Sequence, residues 1–546
     1  MQCANGGFLN GVLREQWGFN GEVVSDCGAI DHMNNNFKHA PGMQPGFPTK
    51  DSDATMKRAM EGGCDSDCPG GGPPTTYFKG LANAVKSGAL AEATLDQSVV
   101  RLYTGAIALG LLDDPATSPY AELGGRDLDT PATRQLNLES SIQSMVLLKN
   151  EPISSGKPVL PIGAGETVAM LGPHFNSTED LLSDYSPGNW WVRSPLMAAK
   201  DLLGSKLVGG AQGCGVEGDS TAGFAAAVAL AKKADVAVVF VGLTPNNSPT
   251  NSGTPPVTGA ASGFECEGHD RTDIDLQGQQ PALLKAILAV NPRTVVVLVH
   301  GGALDISWAK QAIPAILDSH YAGQLGGDAI MRTLLNYEGA APAARLTTTF
   351  YHNDFVARPM SDMSLSNITY KHFTGTTVYP FGYGLSYSKF HVQWTNSTRT
   401  VTCDDMAASH PEYFTARARG DHTWASPASY SASIQNVGEV ASDYVLLGFV
   451  SSPNRIATDP AEPLRELFDF ARVTLAPGAS TTVHLSLPAS VLSHVDALGD
   501  EKVMAGEYRI ELGGEWIGDA AGLQTTLTVE GGARTLFSMS EATAKY

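Results

Sequence analysis

Two stretches of this 546-residue chain hold carboxylates in patterns that can do chemistry. The first is GFNGEVVSDCGAI, residues 18–30, where a short apolar run ends on Ser25, Asp26, Cys27 and Gly28. A carboxylate at the carboxyl end of a parallel barrel strand stands on the face where such barrels keep their active sites, so Asp26 reads as a nucleophile or base. Ser-Asp-x-Gly is also ordinary turn chemistry, and residue types alone leave a turn aspartate open. The second is GFECEGHDRTDIDLQGQQPALLKAIL, in which Glu265, Glu267, His269, Asp270 and Arg271 crowd one loop ahead of a helix. Only 17% of the residues are charged, so this density points to a functional loop, with a solvated loop carrying an Asp270/Arg271 surface pair as the alternative. Neither a His-x-x-x-His pair nor a Cys/His set at zinc spacing accompanies His269, so no metal is expected there. The run from Cys64 to Cys68 suits a disulfide participant better than a metal site.

Other chemistries lack their motifs. The sequence has no Gly-x-Ser-x-Gly and no Gly-x-x-x-x-Gly-Lys, and the glycines of IGAGETVAML precede their strand instead of following one, so no nucleotide or other cofactor is expected. A formal net charge of -20 without any Lys/Arg-rich run repels polyanions, which excludes nucleic acid and favours a neutral or sugar-like ligand. No run reaches the ~18 apolar residues of a membrane helix. Oligomeric state is not legible. Sequons begin at Asn176, Asn246, Asn367 and Asn396, which suits a secreted glycoprotein. The first residues, MQCANGGFLNGVLREQWGF, show no signal-peptide pattern, and the seven cysteines are odd in number. Together these predict that an N-terminal portion is missing.

The elements that must position these residues follow from periodicity. At about 150 residues per domain the chain predicts three or four units. Residues 7–18 pattern as a helix with Leu9, Val12, Leu13 and Trp17 on one face, followed by a strand over 22–24. ATMKRAMEGGCDSDC repeats the step: a helix, a double-glycine stop and a short strand. YFKGLANAVKSG and LDQSVVRLYTGAIALGLL add two helices. This is a piece of a parallel barrel, with about two strand units where closure needs eight. Residues 115–160 are predicted to be a proline-punctuated linker with one helix, TRQLNLESSIQSMVLLKN. Next come the buried-strand runs VAMLGP, VAVVFVGL, TVVVLVHGG and AILDSHY, separated by the helices GFAAAVALAKKA, QQPALLKAILAV and GGDAIMRTLLN, an α/β sandwich. After about 415 short alternating strands at turn-rich spacing predict an immunoglobulin-like β-sandwich. The predicted fold is multidomain α/β plus β: barrel remnant 1–114, linker 115–160, α/β domain 161–392, linker 393–414, β-sandwich 415–535 and tail 536–546.

GFNGEVVSDCGAI, CEGHDR, VLLKN at 146–150 and VYPFGYGLSYSKF at 378–390 occur in this order, and with them the chain resembles the family 3 glycoside hydrolases from Met1 to about residue 535. The resemblance implies a retaining β-glycosidase on a (β/α)8 barrel with Asp26 as nucleophile. It implies an acid/base on the α/β domain, Glu267 first and Glu265 as fallback, and a fibronectin type III-like last domain. A retaining mechanism sets its two carboxyl groups about 5–5.5 Å apart, one attacking the anomeric carbon and the other protonating the leaving oxygen. Cys27 after the nucleophile, with CDSDC later, resembles the β-xylosidase and α-arabinofuranosidase branch. That likeness implies a Cys27–Cys68 disulfide shaping the sugar pocket, a free buried thiol being the alternative. Ser25, Cys27, Trp190 and Trp191 are candidate sugar contacts, and aromatic pairs also serve plain packing.

The implied activity is release of xylose from xylo-oligosaccharides by an extracellular exo-β-1,4-xylosidase. β-Glucosides or α-L-arabinofuranosides are alternative substrates, and a non-catalytic carbohydrate-binding or decoy protein is the alternative class. The resemblance implies a catalytic barrel that begins some 250 to 300 residues before the nucleophile and supplies the Asp, Arg and Lys-His pair that grip the sugar, and YKHF at 370–373 comes too late to replace that pair. Activity is therefore expected to need the missing part.

Overall fold

The computed structural model describes residues 2–30, 33, 52–68, 77–183, 185–186, 191–245, 264–265, 271–359, 361–418, 424, 426–452, 463–496, 498–519 and 522–539. They form two compact units: Met1–Leu128 with Ser493–Met504 and Ala533–Tyr546, and Asp129–Leu492 with Ala505–Gly532.

In the first unit, Gly7–Gln16 is wound as a π-helix, with the Trp17 N–H reaching the Val12 carbonyl at 3.0 Å, and it buries Leu9, Gly11 and Val12. Two extended segments follow the predicted helix-to-strand steps and run parallel, Val24 bridging to Ser66. The Asp65 N–H donates to the Val23 carbonyl at 2.7 Å, the Ser25 N–H to Ser66 at 2.9 Å and the Gly28 N–H to Cys68 at 2.7 Å. The helix Ser52–Glu61 stops at Gly62 and Gly63 for a steric reason: a Cβ on Gly62 would lie 2.8 Å from the backbone of Ala4, and Gly63 has φ +97°. Helices Tyr77–Lys86 and Glu92–Ala108 follow, around a core of Ile30, Met56, Ala59, Met60, Cys64, Ala84 and Leu90. Glu92–Ala108 leaves Val99, Val100, Leu102, Tyr103 and Ile107 exposed, and Val24 beside the candidate nucleophile is exposed too. The strands Ser493–Val495, Glu501–Val503 and Arg534–Phe537 pair antiparallel within this unit.

The second unit is organised by a six-stranded sheet: β1 (Val146–Asn150), β2 (Val168–Leu171), β3 (Leu207–Ala211), β4 (Val236–Gly242), β5 (Thr294–Val299) and β6 (Ala315–Asp318), in the spatial order β1-β6-β5-β4-β2-β3. β1 is antiparallel to β6 and the other pairs are parallel. Every residue of β4 and β5 is buried, because helices cover both faces. Alternation divides their side chains between two cores. Ala237, Val239 and Val241 meet Phe224–Ala231 and Gln280–Leu288 on one side, and Val236, Val238 and Phe240 meet Pro195–Leu203 and Gly326–Leu335 on the other.

Two readings of the sequence need correction here, and one strand carries no signal in it. The predicted helix TRQLNLESSIQSMVLLKN is a helix only over Pro131–Gln143, where Thr130 caps it by accepting from the Thr133 N–H at 3.2 Å, and VLLKN is strand β1. Its apolar run is captured by antiparallel pairing with β6, and two hydrogen bonds between Asn150 and Leu160, at 2.8 and 3.1 Å, close the turn that follows. The strand β3, LVGGA, was not predicted, because its two glycines erase the strand signal; at Gly210 a Cβ would lie 2.3 Å from the Phe175 ring. Residues 393–414, predicted to be a linker, are mostly ordered elements: the strands Phe390–Ser397 and Thr400–Thr402 and the helix Cys403–Ala418.

The β-sandwich sets the three strands Ser480–Ser486, Ser429–Asn436 and Phe390–Ser397 against five, Glu466–Leu475, Ser442–Ser451, Gly506–Leu512, Leu523–Glu530 and Thr400–Thr402. Ser442–Ser451 is buried along nearly its whole length because Val445, Leu447 and Phe449 pack on Tyr370 and Phe381. Arg345 pins that junction, donating to the carbonyls of Gly384, Ile517 and Val445 and pairing with Asp519 at 2.7 Å.

Candidate active site

Asp26 lies at the carboxyl end of the first of the two parallel segments, exposed, with Oδ1 accepting from the Cys27 N–H at 2.8 Å. What holds it there is the neighbouring segment. Asp65, whose side chain is 0% exposed, accepts from Arg14 Nη2 at 2.6 Å, Arg101 Nη2 at 2.7 Å, Ser98 Oγ at 2.8 Å and the Val23 N–H at 2.9 Å. One buried carboxylate thus joins two helices to the Asp26 segment. Ser25, a predicted sugar contact, is buried and spends its hydroxyl inside the protein, donating to Asp67 at 2.9 Å and accepting from the Cys68 N–H at 3.0 Å. Cys27 and Cys68 are joined as a disulfide with their Cα atoms 4.3 Å apart, so the covalent link crosses the two segments beside Asp26.

In the second unit, Phe264 bridges to Thr244 just past β4, and the Glu265 N–H donates to the Thr244 carbonyl at 2.9 Å. The Glu265 carboxylate is held from four directions. It accepts from the N–H groups of Gly301 at 2.6 Å and Gly302 at 2.7 Å and from the Tyr321 hydroxyl at 2.8 Å, while Arg271 stands 3.3 Å away. A Cβ on Gly302 would meet Glu265 Oε1 at 2.6 Å, so the close approach needs glycine. Burial, reinforced by the Glu265 charge, pushes the Tyr321 phenol far up and keeps it a donor. Burial pulls the Arg271 guanidinium down, opposed by Glu265, and its Nη2 also donates to the Ala303 carbonyl at 2.6 Å. Both oxygens of Glu265 are therefore engaged as acceptors. Thr244 is buttressed in turn: its hydroxyl donates to Asp180 at 2.6 Å, and Asp180 meets His174 at 2.9 Å.

Glu267, His269, Asp270, Trp190 and Asn246 lie outside the described residues. The Trp191 indole N–H donates to Asp129 at 3.0 Å, and one ring face carries the Arg134 guanidinium at 4.6 Å. Asn176, Asn367 and Asn396 are exposed. YKHF sits at the one-turn helix Thr369–His372, where Lys371 pairs with Glu466 at 2.6 Å and the Tyr370 hydroxyl accepts from the Leu467 N–H at 3.1 Å. Sequence reasoning passed over Asp65 and Tyr321, and also His300, Asp318 and His320, which gather at the carboxyl ends of β5 and β6. The available signal was their position directly at the ends of the buried runs TVVVLVH and AILDSHY, where open α/β sheets assemble sites.

Comparison with known proteins gives three domain matches: the glycosyl hydrolase family 3 N-terminal domain over residues 3–104, the family 3 C-terminal domain over 145–387 and a fibronectin type III-like domain over 445–516. Among curated proteins, a probable exo-1,4-β-xylosidase of Aspergillus clavatus is 31% identical over 93% of this chain, and one of Neosartorya fischeri matches equally. The chain spans 62% of the length of each of these relatives. Among solved structures, a family 3 exo-β-xylosidase in complex with a xylobiose aziridine activity-based probe superposes with a TM-score of 0.81 at 26% identity, covering 98% of this chain and 65% of that one. A β-glucosidase from Erythrobacter marinus follows at 0.73 and 26%, covering 97% and 66%. With an α/β domain, a fibronectin type III-like β-sandwich and both family-specific domains matched in order, the chain belongs to glycosyl hydrolase family 3.

Proposed function

We propose that this chain carries the nucleophile and acid/base of a retaining, exo-acting β-1,4-xylosidase that releases xylose from xylo-oligosaccharides of plant cell walls. The xylosidase names of its relatives support the substrate. Asp26 is the nucleophile: it attacks the anomeric carbon, the glycosidic C–O bond breaks, and a glycosyl ester forms on its carboxylate. Glu267 protonates the leaving oxygen and then takes a proton from the water that hydrolyses the ester. Glu265 suits the acid/base role poorly because the N–H groups of Gly301 and Gly302 and the Tyr321 hydroxyl already donate to its oxygens, so we assign it to positioning the loop. The observation that carries the reading is the exposed Asp26 at the carboxyl end of paired parallel segments, cross-linked by Cys27–Cys68 and anchored through buried Asp65.

Eight strands close such a barrel, and the described residues supply two bridged extended segments, so the reading assigns activity to a protein in which the remaining strands are present. The exposed Val99, Val100, Leu102, Tyr103 and Ile107 are an apolar surface of the kind those strands and their helices would cover. The same reading makes the protein extracellular and glycosylated at its exposed sequons. The test is labelling by a xylobiose aziridine probe together with aryl-xyloside turnover, on this chain alone and on a form completed with the remaining barrel strands. The reading expects label on the peptide containing Asp26 and none in Asp26→Asn. Label on another carboxylate, or turnover of the completed form that survives Asp26→Asn, refutes it. Binding of xylo-oligosaccharide without turnover in both forms would instead establish a non-catalytic carbohydrate-binding protein.

A further inference from the structure

Three side chains that the glycosidase reading does not use converge where β5 and β6 end. His300, Asp318 and His320 bring ligand atoms within 4.8 Å of one another. The side chains of His300 and Asp318 are fully buried, and that of His320 is 27% exposed. His300 Nε2 stands 3.0 Å from Asp318 Oδ1, and His320 Nδ1 is 3.5 Å from the same oxygen. Asp318 Oδ1 also accepts from the His320 N–H at 3.0 Å, whereas the buried Oδ2 has no hydrogen-bond partner among the described residues.

Counting donors and acceptors exposes a deficit. The Gly302 carbonyl, 2.7 Å from His300 Nδ1, can only accept, so Nδ1 carries a hydrogen. The neutral ring then aims its Nε2 lone pair at a carboxylate oxygen that is itself an acceptor. Two acceptors at 3.0 Å need positive charge between them, supplied by a second ring proton or by a cation. A proton on Nε2 settles that contact alone. It leaves His320 Nδ1 near an oxygen that already has two donors and leaves Oδ2 without a partner, although a buried carboxylate oxygen without a donor is costly.

We propose that His300, Asp318 and His320 bind one divalent transition-metal ion of the zinc class. Zn–N of about 2.0–2.1 Å and Zn–O of about 2.0–2.2 Å put adjacent ligand atoms roughly 3.3–3.5 Å apart at tetrahedral angles. The His320 separation of 3.5 Å from Asp318 Oδ1 lies at the top of that range and the His300 separation of 3.0 Å just below it, and the ligand atoms of the two rings lie within 4.8 Å of each other. Two histidines and a carboxylate leave a fourth position for water, and the partly exposed His320 gives the ion a way in. The Gly302 carbonyl on Nδ1 is the outer partner that fixes a ligand histidine's tautomer and points Nε2 at the metal. His320 itself is held at φ +50°, a conformation disfavoured outside glycine, which aims its ring back at Asp318.

The ion would order the Glu265 turn. Gly302 accepts from His300 through its carbonyl and donates to Glu265 through its N–H, and Tyr321, next to His320, donates to the same carboxylate. One ion bridging β5 and β6 thus fixes two of the four groups that hold Glu265. Metal binding itself does not depend on the xylosidase reading.

The experiment is calorimetric titration of chelator-treated protein with Zn²⁺, alongside thermal unfolding with and without the ion. The proposal expects one ion per chain and, at about 100-fold excess over Kd, a rise of roughly 5 °C or more in the transition of the α/β domain. His320→Gly removes the partly exposed ligand and suits the positive φ, so it should fold, lose at least tenfold in affinity and, at the same ion concentration, lose about half or more of the rise. Asp318→Asn should lose affinity likewise. No stoichiometric binding by the wild type overturns the proposal and leaves His300 and Asp318 as a buried imidazolium–carboxylate pair. Unchanged affinity in His320→Gly also overturns it, since the ion would then bind elsewhere.

Discussion

Replacing Asp65 by asparagine keeps the shape of the side chain and removes the one charge that holds Arg14, Arg101, Ser98 and the Val23 N–H together. An asparagine amide would also turn N–H donors toward guanidinium donors. Breaking a buried ion pair from one side costs about 3–5 kcal/mol, because the partner charge stays behind unpaired. Here the side chains of Arg14 and Arg101 are 12% and 22% exposed, so water reaches them in part and the lower end, about 3 kcal/mol, applies. Hydrogen exchange suits the question better than global unfolding, since several domains do not melt as one. The amides of Ser25, Gly28, Asp65 and Ser66 all donate across the two parallel segments. If that pairing depends on Asp65, their protection falls by about 150-fold in Asp65→Asn, the exchange equivalent of 3 kcal/mol. The double variant Asp65→Asn/Arg101→Gln recovers part of the loss, because one stranded cation has gone. Protection within about fivefold of wild type would refute the claim that Asp65 holds the Asp26 segment in place.

Three further outcomes can be checked directly. Tyr321→Phe removes a phenol donor from a carboxylate and should destabilise the α/β domain by about 1.5–3 kcal/mol, read as a lower melting transition; Tyr321→His, which retains a donor, loses less if the hydrogen bond and not the packing matters. Arg345→Lys cannot span three carbonyls and Asp519 with a single ammonium, so about 2–3 kcal/mol should be lost from the unit that holds the β-sandwich, measured by the urea dependence of sandwich amide exchange. Burial pushes the Asp180 carboxyl up, but hydrogen bonds and charge from His174, with Ser177 and Thr244, bring it down to about 2 from an ordinary 3.8. A depressed carboxyl stabilises the fold above its unfolded value and loses that contribution on acidification, so about 2 kcal/mol should vanish as pH falls from about 4 to 2, and Asp180→Asn should flatten that slope.

What the sequence determined by itself was whatever repeats locally. VAVVFVG and TVVVLV were legible as parallel strands because side chains buried on both faces leave an unbroken apolar run. The double glycine after Ser52–Glu61 marked a helix stop whose steric cause is the adjoining backbone. VLLKN patterns with the helix before it because a short apolar run carries no period of its own, and only its pairing with β6 makes it a strand. LVGGA went unread because glycine has no side chain to show a face. Sheet order, β1-β6-β5-β4-β2-β3, was not legible at all, and the groupings of side chains depend on it. His300 and His320 stand 20 residues apart in sequence and share one oxygen of Asp318 only because β5 and β6 are neighbours. Asp65 showed itself as an acid, but not as the meeting point of two helices and a strand. Periodicity is written residue by residue, since each position faces in or out by its own transfer energy, whereas convergence depends on which elements pack side by side, and that is settled only when the whole core closes.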